Sequence, residues 1–118
     1  MKFIIEGELP GLNEIIAVSK LHYGKYAKMK KEMTEYICWQ VKGALIDNRV
    51  NVKITWYSAT KKRDPDNIAA GVKFILDGMV KGGIIKGDGY RHIGSISHIF
   101  KIDKEHPRIE VELGEGER

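Results

Sequence analysis

The chain has 118 residues, of which 42% are hydrophobic and 31% charged, and its formal net charge is +4. That is the size and balance of one ordinary globular domain with a core of its own, expected to occupy residues 1–118. A lone cysteine, Cys38, excludes an internal disulfide framework, and no apolar run is long enough to span a membrane.

The opening MKFIIEGELP turns acidic and polar too early for a secretion signal, so a cytoplasmic protein is expected. Within it, 2–8 alternates around Phe3, Ile4 and Ile5 and reads as a first strand, broken by Pro10, Gly11 and Asn13. A helical pattern follows in two pieces, expected to separate near Gly24. The longer piece carries Met29, Met33, Tyr36, Ile37, Val41 and Ala44 as one buried stripe under a lysine-rich outer face. Cys38 lies inside that apolar neighbourhood and reads as a buried, inert thiol. Next, VNVKITWYS at 50–58 alternates as a strand with Val50, Val52, Ile54 and Trp56 on one face. An amphipathic helix with Ile68, Val72, Ile75, Leu76 and Met79 on one side runs on to Gly82 and Gly83. Finally GSISHIFKI and RIEVEL alternate on either side of the turn residues 103–107, which predicts a hairpin, and the tail GEGER is expected to fray. The order of elements predicts an α+β fold: a small mixed β-sheet with helices packed on it.

Chemistry concentrates between the second strand and the amphipathic helix, in KKRDPDN at 61–67. Two carboxylates this close repel each other when ionised, so lysines, a helix start or a cation must compensate. Pro65 keeps Asp64 extended, and in an extended segment positions i and i+2 share a side, so Asp64 and Asp66 are expected to converge. The plain alternative is that Asp66 or Asn67 caps the helix while Asp64 pairs with Arg63 or a lysine. Against it stands a third acid, Asp88, in the glycine-rich KGDGY beyond the helix, where the returning chain can bring it to the same sheet edge. Three carboxylates from two loops are the hard oxygen donors that Mg²⁺ takes. Lys73 lies off the apolar stripe with Asp77 at i+4; it either pairs with that acid or contacts a phosphate. Lys61, Lys62 and Arg63 abut the acids. A second basic cluster, including Lys28 and Lys31, surrounds Tyr23 and Tyr26, and it reads either as a solvated face or as a phosphate-tracking surface.

Other metal and nucleotide motifs fail. A calcium loop starting at Asp64 would meet Ile68, Ala69 and Ile75 where a ligand, glycine and glutamate are required. One cysteine and four scattered histidines do not make a zinc site. GGIIKGDG follows a helix instead of opening one, so it is not a phosphate-binding loop.

DPDN, a helix carrying KFILD, and a loop ending in GDGY together resemble the RusA-type Holliday junction resolvases, particularly their phage-related branch. ELPGLNE near the start and the closing RIEVEL extend the resemblance over nearly the whole chain. The resemblance implies that Asp64, Asp66 and Asp88 are the active-site aspartates and that Lys73 is the essential lysine. The lysine match keeps the step to Asp77 but places about one extra helical turn between Asp66 and Lys73; without that turn Ala70 takes the lysine's place. It further implies a homodimer that binds four-way DNA junctions and uses Mg²⁺ or Mn²⁺, and Lys61, Lys62 and Arg63 are then expected to hold the DNA backbone beside the site. Two rivals stay open: a metal-dependent nuclease for other branched DNA, and a non-catalytic DNA-binding module whose acids are structural.

Overall fold

The computed structural model describes residues 1–41 and 43–116. In chain order it contains β1 (Lys2–Glu6), α1 (Leu12–Leu21), α2 (Tyr23–Gln40), β2 (Val50–Ser58), α3 (Pro65–Ala69), α4 (Val72–Lys81), β3 (Ile93–Ile102) and β4 (Arg108–Glu115). The strands form one mixed sheet in the order β1-β4-β2-β3, so the α+β expectation holds.

Alternation decides which face of the sheet is dry. Val50, Val52, Ile54 and Trp56 of β2 are buried as their spacing predicts, beside Phe3 and Ile5 of β1 and Ile109, Val111 and Leu113 of β4. Ile37 from α2 and Phe74, Ile75 and Met79 from α4 complete the same core. The opposite face is polar and wet. There Glu110 takes Lys2 at 2.9 Å and Arg108 at 2.8 Å, and the Arg108 guanidinium lies 3.8 Å from the centre of the Tyr57 ring.

The predicted hairpin is not formed. β4 pairs antiparallel with β2 (Trp56↔Ile109) and β3 pairs parallel with β2 (Trp56↔Phe100), so β2 lies between the two strands expected to be neighbours. Residues 103–107 therefore pass around the end of β2, tied there by Asp103 N–H donating to the Ser58 carbonyl at 2.9 Å. Alternation reports which face of a strand is buried and carries no information about its partner. The outcome leaves β3 as an edge strand with Ile96, Phe100 and Ile102 exposed. On β3, His98 takes a hydrogen bond from the Trp56 indole at its Nδ1, 2.9 Å, and burial holds its pKa below the usual histidine value.

Several boundaries shift. β1 stops at Glu6 because Gly7 turns the chain with φ +83°, a region that favours glycine. The two N-terminal helices separate at His22, not at Gly24. His22 is extended (φ −169°, ψ 134°), and its Nδ1 accepts the Gly24 N–H at 3.0 Å, capping α2. Helix α2 ends at Gln40, which leaves Ala44 outside it and exposed. Of the expected stripe, Ile37 and Val41 are buried and Met29 and Met33 half-buried, while Tyr36 sends its hydroxyl to the Glu6 carbonyl at 2.6 Å. Cys38 is half-buried instead of enclosed. β4 runs through Gly114 and Glu115, so the start of the tail is strand; Glu117 and Arg118 lie outside the described residues.

Helices α2 and α4 pack closely because Gly78 has no side chain. A Cβ there would stand 2.4 Å from Ile37 Cγ2 and 2.7 Å from Ile37 Cβ. Gly78→Ala is therefore expected to lower unfolding stability by about 1–3 kcal/mol through overpacking, outweighing alanine's better helix propensity. Chemical denaturation of the purified variant measures it.

Candidate active site

The expected single amphipathic helix is two helices. α3 ends at Ala69, α4 begins at Val72, and the break falls at Gly71, where a Cβ would meet the Trp56 ring at 3.2 Å and Leu9 Cβ at 3.3 Å. Ala70 and Gly71, between the two helices, keep right-handed helical backbone (φ −59°, ψ −23° and φ −63°, ψ −11°), so the residues between Asp66 and Lys73 include a break between two helices.

Asp64 stands at the N-cap position of α3 with extended backbone (φ −71°, ψ 154°), and its carbonyl accepts the Ile68 N–H at 3.1 Å. Pro65 is already the first helical residue, where its missing N–H leaves nothing unsatisfied. Asp64 is extended as expected, but the helix starts directly after it, with the cap at residue 64 instead of 66 or 67, so the strict i, i+2 geometry of an extended strand does not apply to Asp64 and Asp66. The capping alternative fails in its details as well. Asp64 holds the cap position with its backbone alone, making no side-chain cap bond. Among the described residues neither the Asp64 nor the Asp66 carboxylate has a hydrogen-bond or ion-pair partner, and both are exposed.

Their neighbours do the structural work. Arg63 turns back into the protein: Nη1 donates to the Leu9 carbonyl at 2.9 Å, Nη2 to Glu8 Oε1 at 3.3 Å, and Glu14 lies 3.8 Å away. Asn67 Oδ1 accepts the Asn13 N–H at 2.9 Å, and a Cβ on Gly11 would stand 2.7 Å from that oxygen. The DPDN turn and the LPGLN stretch are thus clasped together. Lys61 and Lys62 remain exposed beside the acids.

The second half of the site is electrostatic. Lys73 Nζ lies 3.3 Å from Asp77 Oδ1, the pairing expected at i+4, and 3.7 Å from Asp88 Oδ2. Partial burial works against its charge, but Asp77 and then Asp88 more than offset it, and its pKa stands above the ordinary lysine value. Asp77 is shared: Lys30 of α2 approaches its Oδ2 at 3.8 Å, an atom buried without a hydrogen-bond partner among the described residues. A groove of about 480 Å³ opens between α2 and α4 at this point, lined by Tyr23, Tyr26, Lys30, Lys31, Asp77 and Lys81. Lys28 sits outside it, 3.9 Å from Glu32 and well exposed.

The structure therefore brings Lys73 to Asp88, and it leaves the three aspartates apart. No three histidine, cysteine, aspartate or glutamate side chains among the described residues form a group that could hold one ion. The donor chemistry nonetheless suits a hydrated divalent cation: hard carboxylate oxygens, exposed, and unpartnered at Asp64 and Asp66. Sequence reasoning missed Asn67 and Arg63 as clasps. Only Asn67 left a signal, as an asparagine inside a first helical turn where its side chain competes for backbone groups.

No curated protein matches the chain. A family profile described as Endodeoxyribonuclease RusA matches residues 19–114, most of the chain, from α1 through β4. On that match, the protein belongs to the RusA endodeoxyribonuclease family.

Proposed function

We propose that this chain resolves four-way DNA junctions as a one-domain, cytoplasmic, homodimeric nuclease, hydrolysing phosphodiesters with Mg²⁺ or Mn²⁺ at Asp64, Asp66 and Asp88. The family makes it a nuclease acting on DNA, of a kind that in general depends on a divalent metal. The observation that carries the finer reading is the 3.7 Å approach of Lys73 to Asp88, which joins helix α4 to the glycine loop that follows it.

Asp64 and Asp66, with Asp88, would hold the cation, which when bound lowers the pKa of water and neutralises charge on the phosphoryl group. Lys73, kept protonated by its two acids, donates to a phosphate oxygen or orients the attacking water. Lys61 and Lys62 hold the DNA backbone beside the acids, and Arg63 fixes the turn that presents them. Lys28 and Lys31 carry the backbone along α2. Two symmetric strands must be cut at a junction, and two sites on a two-fold dimer match that need.

The separation of the acids favours one second reading: a DNA-binding module in which they are structural. A cleavage panel separates the readings. Labelled four-way, three-way, flap and duplex DNA are incubated with the protein in Mg²⁺, Mn²⁺ or EDTA. Metal-dependent paired nicks confined to the four-way junction are the expected result. Nicks spread evenly over all branched substrates would move the assignment to a general branch nuclease, and metal-indifferent binding without cleavage would favour the module.

A further inference from the structure

Tyr90 is 93% exposed, more than any other large hydrophobic side chain among the described residues, and it stands two residues after Asp88. Its backbone is not loose. The Tyr90 carbonyl accepts Arg49 Nε–H at 2.9 Å, and the Gly89 carbonyl accepts the N–H groups of both His92 and Ile93 at 3.0 Å. The His92 carbonyl in turn takes the Val50 N–H of β2 at 2.9 Å. An aromatic ring is thus held out in water on a mount fixed to a central strand. It lines two shallow depressions: one of about 280 Å³ is shared with Asp88 and Ile93, and one of about 420 Å³ with Arg49, Arg91 and one acid, Asp47, which is paired with Lys86 at 2.7 Å. A ring with an acid of the reaction on one side and arginines on the other has the parts of a nucleotide contact: a stacking face and cations for the backbone.

We propose that Tyr90 stacks on an unpaired or splayed base at the branch point and thereby selects branched over continuous DNA. The inference rests on the nuclease reading and adds a specificity-determining residue to it. The physical basis is that bases in an intact duplex are stacked on both faces, so a tyrosine there finds nothing to cover. Where strands exchange or end, a base face is free, and covering it adds binding that duplex cannot match. Tyr90 in this role acts on substrate choice and not on the chemical step.

The test has two arms. In EDTA, where no cut is made, a junction carrying 2-aminopurine at the branch is titrated with wild type, Tyr90→Phe and Tyr90→Ala. Stacking predicts fluorescence quenching with wild type and Tyr90→Phe and its loss with Tyr90→Ala. In Mg²⁺, Tyr90→Ala is expected to lose roughly 5- to 150-fold in kcat/KM on the branched substrate, with its affinity for linear duplex in EDTA unchanged and Tyr90→Phe close to wild type. Because the side chain is exposed, all three proteins should melt at the same temperature. Equal quenching by Tyr90→Ala overturns the proposal, as does an unchanged ratio of branched to duplex affinity in EDTA. If wild type cuts no DNA at all, the nuclease reading falls, and the quenching arm still decides whether Tyr90 stacks.

Discussion

Asp66→Asn is expected to abolish metal-dependent junction cleavage, by at least about 100-fold in rate, while leaving the fold and junction binding intact. The substitution keeps the shape of the side chain and removes its charge. Asp66 is exposed and its carboxylate has no partner in the described protein, so stability has little to lose. Removing a surface acid beside Lys61 and Lys62 should, if anything, tighten DNA binding at low salt. A loss of cleavage paired with undiminished binding would place the chemistry at this residue. Undiminished cleavage would remove Asp66 from the site and leave the nuclease to be sought elsewhere on the chain. Single-turnover cleavage and gel-shift titration on one labelled junction, run side by side with wild type, give both readings.

Lys73→Met should lower kcat by about 100-fold with KM nearly unchanged, the pattern for an interaction made in the transition state. Methionine preserves most of the stem and removes the charge. If Lys73 only paired with Asp77, the variant would cut at the wild-type rate and show a small loss of stability, about 0.3–0.5 kcal/mol for an exposed i, i+4 pair. The two outcomes differ enough that one kinetic series distinguishes them. Ala70→Lys in the Lys73→Met background adds a second comparison, because residue 70 is where the lysine would sit without the extra helical turn. Failure of that double variant to recover activity would tie the lysine's role to position 73, where it meets Asp77 and Asp88.

The core was legible because burial on one face leaves a period. Val50, Val52, Ile54 and Trp56 could be assigned to the dry face from spacing alone, and so could most of the apolar side of α4. The partner of each strand could not. Residues 93–102 and 108–115 look like a hairpin locally, and the fact that β2 separates them depends on hydrogen bonds between residues some fifty apart in sequence. At the site, DPDN and GDGY singled out the acids proposed to act, since side-chain chemistry is written directly in the sequence. Their arrangement was less accessible. The close approach of Gly71 to Trp56 and Leu9 is a tertiary contact, and the Arg63 contact with the Leu9 carbonyl spans 54 positions. No local pattern encodes either.

The placement of β4 also constrains how the molecule can be made. β1 has a single neighbour in the sheet, β4, from Lys2↔Glu112 to Glu6↔Arg108, and β2 needs the same strand on one of its sides. During synthesis the first strand is therefore exposed as an orphan until residues near 112 have left the ribosome. Its two core residues, Phe3 and Ile5, stay uncovered by any strand until β4 has emerged. Pairings this distant in sequence fold slowly, so the nascent chain depends on its helices, or on a chaperone, to shield that strand until β4 arrives. A ribosome-stalled fragment ending before β4 would carry all the proposed catalytic residues and lack the strand that unites the sheet.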